Sequence, residues 1–178
     1  FNEVIEEKLS LPSSILIAPL TKYVFVTPKN CRFDVIDQTP LSSITNSGVL
    51  TAGSEVGISI VKVSLKYQAA LVLVNIEKPY TIVFKVPPES HELYAIPVNE
   101  NSRPFLSFDG IKFNSTAINA EVSKFKSNAA RITRDLKASE FVITVSVFND
   151  VFFVSKTITV GQPPITPESP SVLIGTYL

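Results

Sequence analysis

His91 is the first place to look for acid–base chemistry in this sequence, because imidazole is the side chain whose ordinary titration falls near neutral pH and no second histidine is present. It sits in Pro87-Pro88-Glu89-Ser90-His91-Glu92, a polar run between two β-rich segments. Ser90 and Glu89 do not form a triad with it by adjacency, since triad members meet in space. The run reads as a solvated loop. The paired carboxylates Glu6-Glu7 read as a hydrated charge run rather than an acid/base pair. Cys31 is the sole cysteine, so no disulfide closes within the sequence and no multi-cysteine zinc site exists. Its thiol reads as a small buried hydrophobe. Gly53-Ser54-Glu55-Val56-Gly57 has the glycines of a phosphate loop but neither the Lys-Ser/Thr ending nor a following helical pattern. Asn149-Asp150 reads as a turn, and nothing matches an EF-hand loop or the Asp/Asn/Glu clusters of cadherin calcium sites. The expectation is a protein with no catalytic, cofactor-binding or metal-ligating residues and no enzymatic activity. One modification signal remains: Asn114-Ser115-Thr116 is the only Asn-x-Ser/Thr acceptor, and glycosylation of Asn114 would require a secretory-pathway lumen or the cell exterior.

The elements that carry these residues follow from composition. Hydrophobic residues make up 45% of the 178 positions and charged ones 18%, the balance of an ordinary globular chain rather than a disordered one. Val, Ile, Phe and Tyr are abundant while Met and Trp are absent, which suits pleated, half-buried surfaces. Thirteen prolines would interrupt long helices yet sit harmlessly at strand edges and in loops. Sixteen basic residues balance sixteen acidic ones, so no net field draws in nucleic acid or an anionic membrane. The longest apolar stretches, Ala69 to Val74 and Phe141 to Val147, are strand-sized, well short of the ~18 residues of a membrane helix. There is no initiator Met and no signal-peptide pattern, so the sequence reads as a piece processed or excised from a longer chain.

Along the chain, Ile15 to Leu20, Lys22 to Thr27 and Arg32 to Ile36 read as short strands divided by Pro19 and Pro28-Lys29-Asn30. Gly48 and Gly53 bracket a very short strand, and Gly57 opens a longer one. On that longer strand Ile58 and Ile60 have one parity and Val61, Val63 and Leu65 the other, which predicts a bulge that resets the register. Ala70, Val72, Val74 and Ile76 supply the last strand of the first unit, with Leu71 and Leu73 on its opposite face. Tyr80, Ile82, Phe84 and Val86 open a second unit, placing a boundary near Glu77. The second unit continues through Glu92 to Val98, the loop Asn99 to Pro104, and Ile111 to Ala120. It closes with strands Phe141 to Phe148 and Val151 to Val160 joined by a tight hairpin at Asn149-Asp150. Ser123 to Ala138 has helical composition, but the spacing of turn signals favours a short strand around Ala130 to Thr133. The expected fold is all-β: tandem immunoglobulin-like β-sandwiches over 1–76 (group 2 type) and 77–160. A Pro-rich linker, 161–178, runs into Val172-Leu173-Ile174-Gly175 as the start of a further unit.

Ser47-Gly48-Val49-Leu50-Thr51-Ala52, followed by Gly57-Ile58-Ser59-Ile60, resembles the signature of bacterial Ig-like group 2 domains: Ser-x-Gly-x-Val/Leu-Thr-Ala, then Gly and alternating Thr/Ser and Ile. The wider order of pieces resembles the lumenal part of the large nuclear pore membrane glycoprotein family. Leu9-Ser10-Leu11-Pro12 with Ile15 to Leu20 is similar to that family's amino-terminal lead-in. Val98 to Phe113 resembles its recurring linker, in which a polar turn and an aromatic precede Gly-x-x-Phe; the Trp that usually follows is absent, with Ser115 nearby. The resemblance implies a structural, glycosylated segment in the nuclear envelope or endoplasmic reticulum lumen. It further implies a role in ring assembly and self-association through neighbouring Ig-like domains, in a parent chain that spans the membrane. No catalytic residue carries over. The alternative on the same fold is a cell-surface adhesin or carbohydrate-binding module outside the cell.

Overall fold

The computed structural model describes residues 8–85, 92–107, 109–116, 121–124, 130–133 and 141–160, and all the regular elements in them are strands. No helix among the described residues is long and apolar enough to cross a membrane. His91, Glu6-Glu7 and the stretch 161–178 lie outside the described residues.

Seven strands build the first sandwich: β1 (Ser14–Ile17), β2 (Lys22–Val24), β3 (Arg32–Val35), β4 (Ser42–Ile44), β5 (Val49–Ala52), β6 (Gly57–Leu65) and β7 (Gln68–Ile76). One sheet has the order β1-β7-β6-β3 and the other β2-β5-β4, with β1 parallel to β7. In immunoglobulin lettering these are A′-G-F-C and B-E-D. The second sandwich comprises β8 (Thr81–Lys85), β9 (Glu92–Val98), β10 (Lys112–Ser115), β11 (Glu121–Lys124), β12 (Ala130–Thr133), β13 (Phe141–Phe148) and β14 (Phe153–Val160). Its sheets, β11-β12-β9-β8 and β10-β13-β14, are the D-E-B-A and C-F-G sheets of a constant-type immunoglobulin domain. The chain is therefore all-β, two immunoglobulin-like sandwiches in tandem.

Period-two burial explains the sheets. On β7, Val72, Val74 and Ile76 are buried while Leu71 and Leu73 face out; on β13, Ile143, Val145 and Val147 are buried. Immunoglobulin domains of antibodies centre their core on a strand-C Trp against a B–F disulfide. With neither available, the first sandwich uses rings: Tyr23 meets Phe25 edge-on at 5.1 Å, and Phe25 lies 6.1 Å from Phe33 of strand C. Gly48, at φ +91°, turns the chain directly beneath Phe33. A Cβ there would sit 2.9 Å from the ring, so the Ser-x-Gly step serves both the turn and the aromatic packing.

Three readings of the sequence change or sharpen. Strand β6 has no bulge: it pairs with β7 in one unbroken register from Gly57↔Ile76 to Leu65↔Gln68. Ser59 takes the inward position expected of an apolar residue, its hydroxyl being satisfied below the surface, so Ile58 and Ile60 turn outward with no register shift. The β13–β14 connection is not a two-residue turn. Phe148 pairs with Phe153, and the loop Asn149–Phe152 closes on an Asn149 N–H donated to the Phe152 carbonyl at 3.0 Å. The extra length lets Phe152 reach the core. Within 123–138, Ala130–Thr133 is indeed a strand, placed between β11 and β9.

Candidate functional site at the junction of the sandwiches

Strand β1 belongs to two cores. Its run Ile15-Leu16-Ile17, continued by Ala18, is apolar at successive positions, the pattern of a strand covered on both faces. Ile15 and Ile17 enter the first core with Leu50, Val61, Val63, Val72 and Val74. Leu16 and Ala18 point the other way and enter the second core with Ile82, Phe105, Ile111 and Phe152. Backbone bonds hold the strand from both sides: Ile17 O accepts from Glu77 N at 3.1 Å, and Leu16 O accepts from Leu106 N of the second sandwich at 3.1 Å. Leu106 in turn packs against the first core while its neighbour Phe105 is fully buried in the second.

The turn after β1 locks the junction. Leu20 adopts φ +63°, and Thr21 is completely buried, donating from Oγ1 to the Ala18 carbonyl at 2.6 Å. Lys22 N donates to Asp109 O at 2.9 Å. Gly110 lies so close that a Cβ on it would sit 2.4 Å from the Leu20 carbonyl oxygen, at a φ of +112° that disfavours a side chain anyway. Asn149 clamps the assembly: Nδ2 donates to Pro19 O at 2.8 Å and to Gly110 O at 3.2 Å, and Oδ1 accepts from Val151 N at 2.9 Å. The residue read as a turn former is thus a bond between sandwiches.

A second polar constellation ties the first sandwich internally. Asp37 Oδ1 accepts from Ile60 N at 2.6 Å, and Oδ2 accepts from Leu41 N at 3.1 Å and Ser59 Oγ at 2.5 Å. Because Ser59 gives its proton to Asp37, the 2.6 Å contact between Ser42 Oγ and Ser59 Oγ must be donated by Ser42. Partial burial pushes the Asp37 carboxyl upward. The Ser59 hydroxyl and the two backbone amides outweigh that and hold it below the ordinary 3.8. Both oxygens are engaged, leaving no free base for a hydroxyl nucleophile. A shallow depression of about 310 Å³ alongside, lined by residues 40–43 and 51–53, contains no ionisable side chain.

The residues singled out by sequence do not converge. Cys31 is half-buried against the first core as a free thiol. Gly53 spends its amide on Leu41 O and its carbonyl on Leu20 N, a structural loop rather than an anion cradle. Among the described residues no group of three or more His, Cys, Asp or Glu could hold a metal ion. Asn114 is exposed on β10, the edge of the C-F-G sheet, with Oδ1 accepting from Ser115 N at 2.9 Å. Thr116 Oγ1 accepts from Thr144 N at 3.0 Å, so the acceptor triplet is zipped into the sheet. The dual role of Leu16 had a signal, the uninterrupted apolar run; the Asp37–Ser59–Ser42 chain had none, since its members are far apart in sequence.

No family model matches the chain, and no curated protein matches it. Solved structures are similar to it at low identity and low TM-score. Domains 5–6 of the S-layer protein SbsC are 17% identical, with 90% of this chain and 98% of that one covered and a TM-score of 0.38. Tandem titin Ig domains are 9% identical over 84% of this chain and 92% of theirs, at a TM-score of 0.30. The protocadherin GammaB4 extracellular domain is 11% identical over 85% of this chain and 31% of its own, at 0.29.

Proposed function

We propose that this chain is a structural, non-enzymatic segment of a nuclear pore membrane glycoprotein, lying in the nuclear envelope lumen and contributing to ring assembly through self-association. The observation that carries the architectural part is the division of β1 between two cores, Ile15 and Ile17 in one and Leu16 and Ala18 in the other. A spacer in a ring must hold successive units at a set angle. Flexible linkers between independent beads do not do so, whereas a shared strand does. The assignment to the pore family rests on the resemblance of Leu9 to Pro12, Ile15 to Leu20 and Val98 to Phe113, while local geometry supports the group 2 type of the first sandwich: Gly48 turns, Val49–Ala52 pairs briefly, and Gly57 opens the long core strand.

Immunofluorescence on the native protein tests the location. Staining at the nuclear rim is expected, and only after the internal membranes are permeabilised. Staining on the surface of intact cells would replace this reading with that of an adhesin. Digestion of the native material with an N-glycosidase should remove one glycan, and the Asn114→Gln protein should show no such mobility change.

A further inference from the structure

Thirteen positions on the outer face of the A′-G-F-C sheet can be read from the register, and seven of them are apolar where an outer face should be polar, the other six being Ser14, Arg32, Asp34, Lys62, Ser64 and Asn75. Ile36 accompanies Ile60, whose carbonyl accepts the Ile36 N–H at 3.0 Å; Ile60 is paired with Leu73, and Leu73 with Ser14. One step along, Ile58 pairs with Asn75 and Asn75 with Leu16. One step the other way, Asp34 pairs with Lys62 and Lys62 with Leu71. Ile36, Ile58, Leu71 and Leu73 remain 46%, 58%, 56% and 43% exposed, so four large aliphatic side chains on one sheet face are left in water. Scattered apolar residues are normal on surfaces, but a contiguous cross-strand cluster marks an interaction site.

The corresponding face of the second sandwich is apolar only at its ends, where Val142 and Phe153 are 60% and 67% exposed and Phe153 lies 5.8 Å from Phe148, and differs at its centre. There Thr144 pairs with Thr157 and Ser146 with Ser155, and Asn114 pairs with Ser146. The Thr144 and Thr157 hydroxyls meet at 2.6 Å. One C-F-G face has hydroxyls at its centre beside the glycan acceptor; the other has Ile60 and Leu73 at its centre.

We infer that the aliphatic face centred on Ile60 and Leu73 is where a second copy of this chain docks, sheet against sheet. This rests on the architectural reading above and names the surface for its self-association. Three observations select a second copy. The patch is continuous with an interface of the same kind, since Leu16 on this very face is already buried by the second sandwich, two strands from Ile58. The formal net charge is zero, so copies do not repel at long range. The size fits a weak pair: two nine-residue and two four-residue strands, ~4.8 Å apart and at ~3.3 Å per residue, give a face of roughly 400 Å² in projection, against about 800 Å² per partner in a standard interface. Such a contact is weak alone and is strengthened when many units are linked in one assembly.

Sedimentation equilibrium of the 178-residue protein across a concentration series, up to about 1 mM where millimolar affinities register, tests this. The weight-average mass should climb from monomer towards dimer. Leu73→Lys, or Ile58→Lys should the first fail to fold, should abolish the climb, while Ser155→Lys on the hydroxyl face should leave it intact. A wild-type protein that stays monomeric throughout, a climb unchanged by the aliphatic-face variants, or binding of an unrelated protein without self-association would overturn the assignment. Monomer with nuclear-rim staining removes this surface alone; a dimer whose native protein stains the cell exterior removes the location alone.

Discussion

At Asp37 a carboxylate far from any catalytic partner is nonetheless held charged, and the reason is local: Ser59 Oγ and the amides of Leu41 and Ile60 all point hydrogens at it. Removing the charge leaves those donors poorly matched, at a cost of about 1–3 kcal/mol. The effect has a pH signature. The folded chain keeps Asp37 below the 3.8 of an ordinary aspartate, so on acidification the unfolded chain takes up that proton first. The stabilisation is complete above about pH 4 and is lost as the pH falls through the lowered folded value. Urea denaturation of wild type and Asp37→Asn should therefore show a gap that is constant near neutrality and narrows below about pH 4. A gap that stays the same down to the acid limit would mean that the charge contributes nothing. None of this was legible in the sequence, where Asp37, Ser42 and Ser59 are three unremarkable polar residues that only the folded sheets bring together.

Among the elements, the long strands were the most legible, because Val72-Leu73-Val74 and Phe141 to Phe148 carry their inner and outer faces as parity. The reading failed on β6, where Ser59 broke the apolar count. A hydroxyl with two partners can occupy an inward position, and parity by hydrophobicity alone does not see the partners. It also missed the length of the β13–β14 loop, which depends on Phe152 reaching the core rather than on turn residues. Strand β1 is the element on which most depends. Ile15→Ala and Leu16→Ala delete adjacent aliphatic side chains from one strand, each at a cost of about 2–4 kcal/mol. Hydrogen exchange should assign the damage to different sandwiches: faster exchange in β6 and β7 for Ile15→Ala, in β9 and β13 for Leu16→Ala. Loss confined to β6 and β7 in both variants would show that Leu16 does not support the second core.

At the scale of the whole molecule, two small cores that would each be marginal alone share a strand, a buried turn and the Asn149 clamp. The tandem organisation was readable from the recurrence of strands and turns. The stiffness of the junction was not, because Leu106, Asp109, Gly110 and Asn149 meet the turn after β1 only across the sandwich boundary. The same organisation puts Thr144, Ser146, Ser155 and Thr157 at the centre of one outer C-F-G face and Ile60 and Leu73 at the centre of the other. The sandwiches act as one mechanical body, which differential scanning calorimetry tests. A single transition whose van't Hoff and calorimetric enthalpies agree is expected for wild type, and two separated transitions for Leu16→Asp. Two independent transitions in the wild-type protein would contradict it.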